Sequence, residues 1–105
     1  MIVRQAIFIG AVAPDRQDAF DAHVAAQVLP LLRSLPGVAS AAVLRTRDRD
    51  AGAPEIYQIY QLRFADMAAM ETMLASEARL QVHEAMAAVL PWFDGQIVHL
   101  VSEAS

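Results

Sequence analysis

The sequence predicts an α+β fold: a four-stranded antiparallel sheet with helices on one face, in the chain order βαββαβ. Three observations predict it. Runs rich in β-branched and aromatic residues mark strands at residues 2–12, 38–47, 55–64 and 96–102. Two longer segments, 15–35 and 66–90, carry apolar residues at helical spacing. Pro-, Gly- and Asp-rich stretches (PDRQD, SLPGV, RDRDAGAP, PWFDG) punctuate the chain between them.

The first strand carries Ile2, Val3, Ile7, Phe8, Ile9 and Val12. Ala11-Val12-Ala13 mimics a signal-peptidase site. The apolar run before it is broken by Gln5 and Gly10 and is too short to cross a bilayer. The segment therefore reads as a strand. Asp15 is the expected N-cap of the first helix, with Asp18 three residues on in the manner of a capping box. Phe20, Val24, Val28, Leu31 and Leu35 follow at helical spacing. Pro30 lies inside this helix and lacks the N–H that an interior residue donates, which predicts a kink at residues 26–30. Pro36-Gly37 ends the helix.

The second strand, 38–47, leads through the polar loop RDRDAGAP into the clearest strand, EIYQIYQLRF. Alternation puts Ile56, Gln58, Tyr60, Leu62 and Phe64 on one face and Tyr57, Ile59, Gln61 and Arg63 on the other. Asp66 caps the second helical segment, with a break expected near Ser76. PWFDG ends it, and QIVHLVS is the last strand.

This order is that of the ferredoxin-like fold. Such a sheet needs one apolar face, yet these strands offer two: Tyr57 and Ile59 oppose Ile56 and Tyr60, and Ile97 and Val101 oppose Val98 and Leu100. The same sheet of a second copy would cover the surplus face and close a barrel, so a homodimer is expected. The composition agrees. A chain of 105 residues reads as one domain, 1–105, and 56% of it is hydrophobic, a large share for a core of this size.

The net charge is −4 and lysine is absent, which argues against nucleic acid as a partner. Arg45, Arg47 and Arg49 alternate with Asp48 and Asp50 as a solvated loop. Having no cysteine, the chain has neither disulfides, nor thiolate zinc sites, nor a thiol nucleophile, and this fits a cytoplasmic protein. No phosphate loop, nucleophile elbow or amphipathic membrane segment is present, so no nucleotide cofactor and no membrane partner are expected.

At the residue level the chain resembles the dimeric α+β barrel superfamily, and within it the EthD-like family. PLLRSLPGV (30–38), FADMAAMETMLASEA (64–78) and PWFDG (91–95) carry the resemblance. Pro30 matches the proline of a His-x-Pro-Leu element late in the family's first helix, and Pro36-Gly37 the Pro-Gly after it. Where that element has its histidine, this chain has Val28. The resemblance implies an apolar pocket between helices and sheet. Related barrels include cofactor-free monooxygenases, isomerases, cyclases and haem-degrading enzymes.

The candidate catalytic residues are His83, His23 and Tyr60. His83 lies with Leu80, Ala87 and Leu90 on an apolar stripe, where a ring needs a partner. The following Glu84 invites a zinc-protease reading, but Ala87 stands where the second histidine must be, and no metal is expected. His23 sits beside Phe20 and Val24 at the edge of the buried face and is poised near neutral pH as a base. Tyr57, Gln58, His99, Met70, Met86 and Trp92 are candidate substrate contacts. A phenol and an amide in an apolar cavity can orient a carbonyl, and methionines adapt to varied shapes. Each has a plainer reading as core or border residue. The function expected is a small cofactor-independent enzyme acting on an apolar or aromatic carbonyl compound by proton transfer, of isomerase, cyclase or monooxygenase type. The alternatives are a non-catalytic ligand-binding or structural barrel and a haem-binding or haem-degrading one.

Overall fold

The computed structural model describes residues 1–105. Its four strands are β1 (Ile2–Val12), β2 (Ser40–Arg45), β3 (Ile56–Phe64) and β4 (Phe93–Glu103). They form one antiparallel sheet in the order β2-β3-β1-β4. The fold is ferredoxin-like, with both helical segments on one face. No helix is long and apolar enough to cross a membrane.

The first helical segment departs from expectation at its start. Asp15 does not cap it. Pro14–Arg16 form a tight turn, with the Arg16 N–H bonded to the Ala13 carbonyl at 2.8 Å, before helix α1 (Gln17–His23) begins. At Pro30 the expected irregularity takes the form of a π-turn that overlaps residues 26–30. Residues Val24–Val28 widen into a π-turn, and the Leu29 N–H reaches back five residues to the Val24 carbonyl. One extra residue in the turn shifts the hydrogen-bond ladder, so Pro30 falls in the first turn of α2 (Leu29–Ser34), where no donor is required. Gly37 ends the segment with φ +83°, a conformation that favours glycine.

The second segment breaks as expected. Helix α3 (Met67–Leu74) is capped by Asp66, whose carboxylate accepts from the Ala69 N–H at 2.8 Å. Replacing Asp66 with alanine should cost about 1 kcal/mol in urea unfolding, the usual worth of such a cap. Ser76 Oγ donates to the Met73 carbonyl at 2.8 Å, and Arg79 donates to the Leu74 carbonyl at 2.9 Å. These bonds satisfy the helix end and let the chain turn into α4 (Arg79–Ala87).

Two strand boundaries move. The second strand is shorter than expected, because the chain is still turning at Val38, whose N–H bonds to Leu35. The last strand begins at Phe93, three residues early. Gly10 and Gly95 face each other across β1 and β4, both at positive φ, and a Cβ on either would run into the other strand's backbone. This close approach extends the pairing to Val12 and Phe93.

One irregularity sets the inner face. Pairing between β1 and β3 slips between Phe8, opposite Gln58, and Ile9, opposite Ile56, which leaves Tyr57 as an extra residue. A bulge of this kind re-aims a side chain. Strict alternation sends Tyr57 and Gln58 to opposite faces, yet both are buried beneath the helices, Tyr57 against Phe20 and Gln58 against Tyr60. The core lies between this face and the helices, around Phe8, Phe20, Phe64, Val24, Val28 and Val89. On the opposite face, Leu44, Ile59, Ile7 and Val98 pair in register as an apolar row across all four strands. Leu44 is 46% exposed, and Leu100 beside the row is 51% exposed.

Candidate active site

Between the sheet and the two helical segments lies an open cleft of about 370 Å³. That is the scale of a site for a small organic molecule. Alternation along the strands supplies its floor: Arg4, Ala6 and Phe8 from β1, Tyr60 and Leu62 from β3, and Ile97 and His99 from β4. Helices α2 and α4 supply its walls, with Leu32 on one side and Arg79, Val82, His83 and Met86 on the other. The Phe8 ring lies 4.8 Å from Tyr60 and 5.3 Å from Phe93, so the floor is a packed aromatic cluster.

Tyr60 is buried, and its hydroxyl is held from two sides. Gln58 Nε2 donates to it at 2.9 Å, and it donates to Met86 Sδ at 3.2 Å. Burial pushes its pKa far above that of an ordinary phenol, so it stays a neutral donor. A thioether is a weak acceptor. A ligand oxygen above the ring would be a better one for the same proton.

His99 faces the helices, and its pKa is lowered. Partial burial is the main cause, and repulsion from Arg4 and Arg79 adds to it. The ring is therefore neutral at pH 7. The neutral form is favoured in the folded state, so the stability it contributes is present above the unfolded value near 6.5 and is lost as pH falls through the lower folded value. The groups facing it are Arg4 on the neighbouring strand and Arg79 on α4, with His83 on the same cleft wall. Proton NMR titration should give His99 a midpoint below 6.5, and Arg79→Gln should move that midpoint upward.

The cleft thus gathers His83, His99, Tyr60 and Met86. Other sequence candidates lie elsewhere. His23 Nε2 is 2.6 Å from the Ala85 carbonyl, so this ring ties α1 to α4 and does not enter the cleft. Tyr57 donates to Asp21 at 2.6 Å beneath the Arg45 guanidinium, which lies 3.7 Å from the ring centroid. Burial, and then the bond to Asp21, push the Tyr57 phenol up to about 12. Gln58 lies under the cleft and acts on it through Tyr60. Met70 is core. Trp92 is outside, with Arg16 lying 5.1 Å from its ring centroid.

Sequence reasoning missed Arg4 and Arg79. Both left a signal: Arg4 alternates with Ala6 and Phe8 on the inward side of β1, and Arg79 lies one helical turn before His83.

A ferredoxin-like sheet with one helical layer and an apolar cleft between them defines the class of protein. The sequence matches no protein-family model and no curated protein. Solved structures do resemble it, and what they share with it is this ferredoxin-like α+β fold. The chain is similar to an EthD family protein from Bacillus halodurans (TM-score 0.72, 17% identity, all of both chains covered). It is also similar to an antibiotic biosynthesis monooxygenase (TM-score 0.65, 13% identity, 100% of this chain and 99% of that one). A third similar structure is SnoaB, a cofactor-independent oxygenase from Streptomyces nogalater (TM-score 0.61, 19% identity, 99% and 92% covered). At these identities the likeness is one of fold.

Proposed function

We propose that the protein is a small cofactor-independent enzyme that binds an apolar or aromatic carbonyl compound in the cleft and moves a proton on it. The observation that carries this reading is the convergence of His99, His83 and the Tyr60 hydroxyl on one apolar cavity. Neutral His99 removes a proton from the carbon next to the carbonyl, and the electron pair passes into an enolate. The Tyr60 hydroxyl turns from Met86 to the enolate oxygen. Returning the proton to another carbon is isomerisation. Passing electrons from the enolate to dioxygen, the oxidant, begins oxygenation. The oxygenase folds among its structural neighbours support the second outcome.

Exchange of the α-protons of 2-tetralone in D₂O, measured by NMR, tests enolate formation separately from isomerisation or oxygenation. Exchange faster than in buffer, lost in His99→Ala, supports an enzyme. Binding of 2-tetralone with no exchange supports the alternative, a non-catalytic ligand-binding barrel. Two observations speak for that alternative: Val28 in place of the family's histidine, and a Tyr60 hydroxyl already bonded at both ends.

The protein acts as a homodimer in this reading. The apolar row of Leu44, Ile59, Ile7 and Val98 faces away from the helices with nothing in the chain to cover it. Sedimentation should show a dimer, and Leu44→Glu with Leu100→Glu should give a folded monomer, since charges buried in an apolar interface are costly. A monomer at micromolar concentration in the unaltered chain would count against this assembly.

A further inference from the structure

The cleft carries a charge opposite to that of the chain. The protein has net charge −4, with twelve carboxylate side chains against eight arginines. Yet the cleft lining holds Arg4, Arg79, His83 and His99 and no aspartate or glutamate. Neither arginine is neutralised nearby. The structure's one ion pair joins Arg45 to Asp21, on another part of the molecule. Glu103, two residues beyond Val101, which pairs with Arg4, forms no ion pair with it. Glu77 and Glu84 flank the start of α4 and the His83 position without pairing to Arg79. Arg79 spends one donor on the Leu74 carbonyl, which anchors it and leaves the rest of its fork free. Arg4 makes no hydrogen bond within the protein that would occupy it.

Two partly buried guanidinium groups in one cleft repel each other. Burial and mutual repulsion both weaken Arg4's hold on its proton. Such a pair is costly when empty and is relieved by an anion between them. The rest of the lining is apolar and aromatic, so the anion belongs on an apolar body. We infer that the ligand of this cleft is an aromatic or alicyclic carboxylate, its ring on Phe8 and Tyr60 and its carboxylate held by Arg4 and Arg79. This rests on the cleft being the ligand site, and it adds the class of compound that the site selects. The carboxylate is a handle and not the reacting group. It lies at the Arg4–Arg79 end, and the carbonyl to be enolised lies over Tyr60. The arginines then discriminate between acids and their neutral counterparts, which an apolar cavity alone cannot do.

Two probes of nearly equal shape test this, 2-naphthoate and 2-naphthamide, with binding to the full chain measured by calorimetry. Charge-assisted hydrogen bonds contribute enough that the acid should bind at least about tenfold more tightly. That preference should shrink as salt is raised from low to physiological concentration. Arg4→Gln and Arg79→Gln should each abolish most of it, weakening the acid far more than the amide. Circular dichroism unchanged from that of the unaltered chain reports an intact fold in each variant. A second readout is independent of affinity: bound 2-naphthoate should raise the His99 NMR midpoint by adding a negative charge beside it, and 2-naphthamide should not. Equal binding of acid and amide, or a preference that survives both substitutions, overturns the carboxylate site and leaves the cleft reading standing. Binding of neither probe overturns the cleft as the ligand site, and the carboxylate site with it.

Discussion

Phe8→Ala should be among the most destabilising single substitutions in this protein, lowering the free energy of unfolding by about 3–5 kcal/mol. The side chain is 1% exposed and is pinned between the Tyr60 ring at 4.8 Å and the Phe93 ring at 5.3 Å. Truncation removes the transfer energy of a whole ring and leaves a void in the aromatic cluster under the cleft. A domain of this size has about 5–15 kcal/mol in all, so the variant would sit close to its unfolding threshold. Urea denaturation at 25 °C checks this. A loss below about 1 kcal/mol would mean that the site collapses freely, contrary to the packing described. Phe8→Leu is the gentler probe. It should keep the fold, deepen the cleft floor and shift ligand preference toward bulkier rings.

The second large effect concerns chemistry. His99→Ala should slow α-proton exchange of 2-tetralone by about 10²–10⁴-fold, the usual contribution of a placed general base. Tyr60→Phe should slow it by roughly tenfold, by withdrawing one hydrogen bond to the enolate oxygen. His23→Ala should leave the rate within a few-fold and show itself in stability, since its ring serves a contact between helices. The pH profile separates these roles. Because the His99 pKa is lowered, the rate should already be on its plateau at pH 7 and fall only on the acid side, below the ordinary histidine value of 6.5. A rate that falls in His23→Ala and not in His99→Ala would reverse the assignment. A rate insensitive to all three would leave the cleft a binding site.

Much of the fold is legible in the chain because the periods involved are short. The alternation from Gln58 to Phe64, the helical spacing of Phe20, Val24 and Val28, the Asp66 cap and the Ser76 break depend on residues a few positions apart, and they appear where that logic puts them. The departures share one origin, contacts between residues distant in the chain. Pro30 by itself predicts an irregular helix; a π-turn supplies the irregularity, and Leu32 rather than Leu31 then follows Val24 and Val28 into the core. The early start of β4 depends on two glycines that are 85 positions apart in the chain and meet only in the sheet.

The site is less legible. His83 and Tyr60 are readable as candidates from their apolar neighbours, but His23 looks equally suitable, and only the packing of α1 against α4 spends its ring on the Ala85 carbonyl. Tyr57 and Gln58 cannot be placed together by alternation, because a bulge opposite Phe8 breaks the period at that point. The residues by themselves determined the class of fold, the apolar surplus on two sheet faces and the absence of thiol chemistry. Tertiary structure decided which histidines share a cavity and that two distant arginines stand there without a counter-charge. The physical reason is that secondary structure and patterning arise from neighbours along the chain, whereas an electrostatic environment sums over neighbours in space. Arg4 and Arg79 are 75 positions apart in sequence and become one charged site only when β1 and α4 enclose the same cleft.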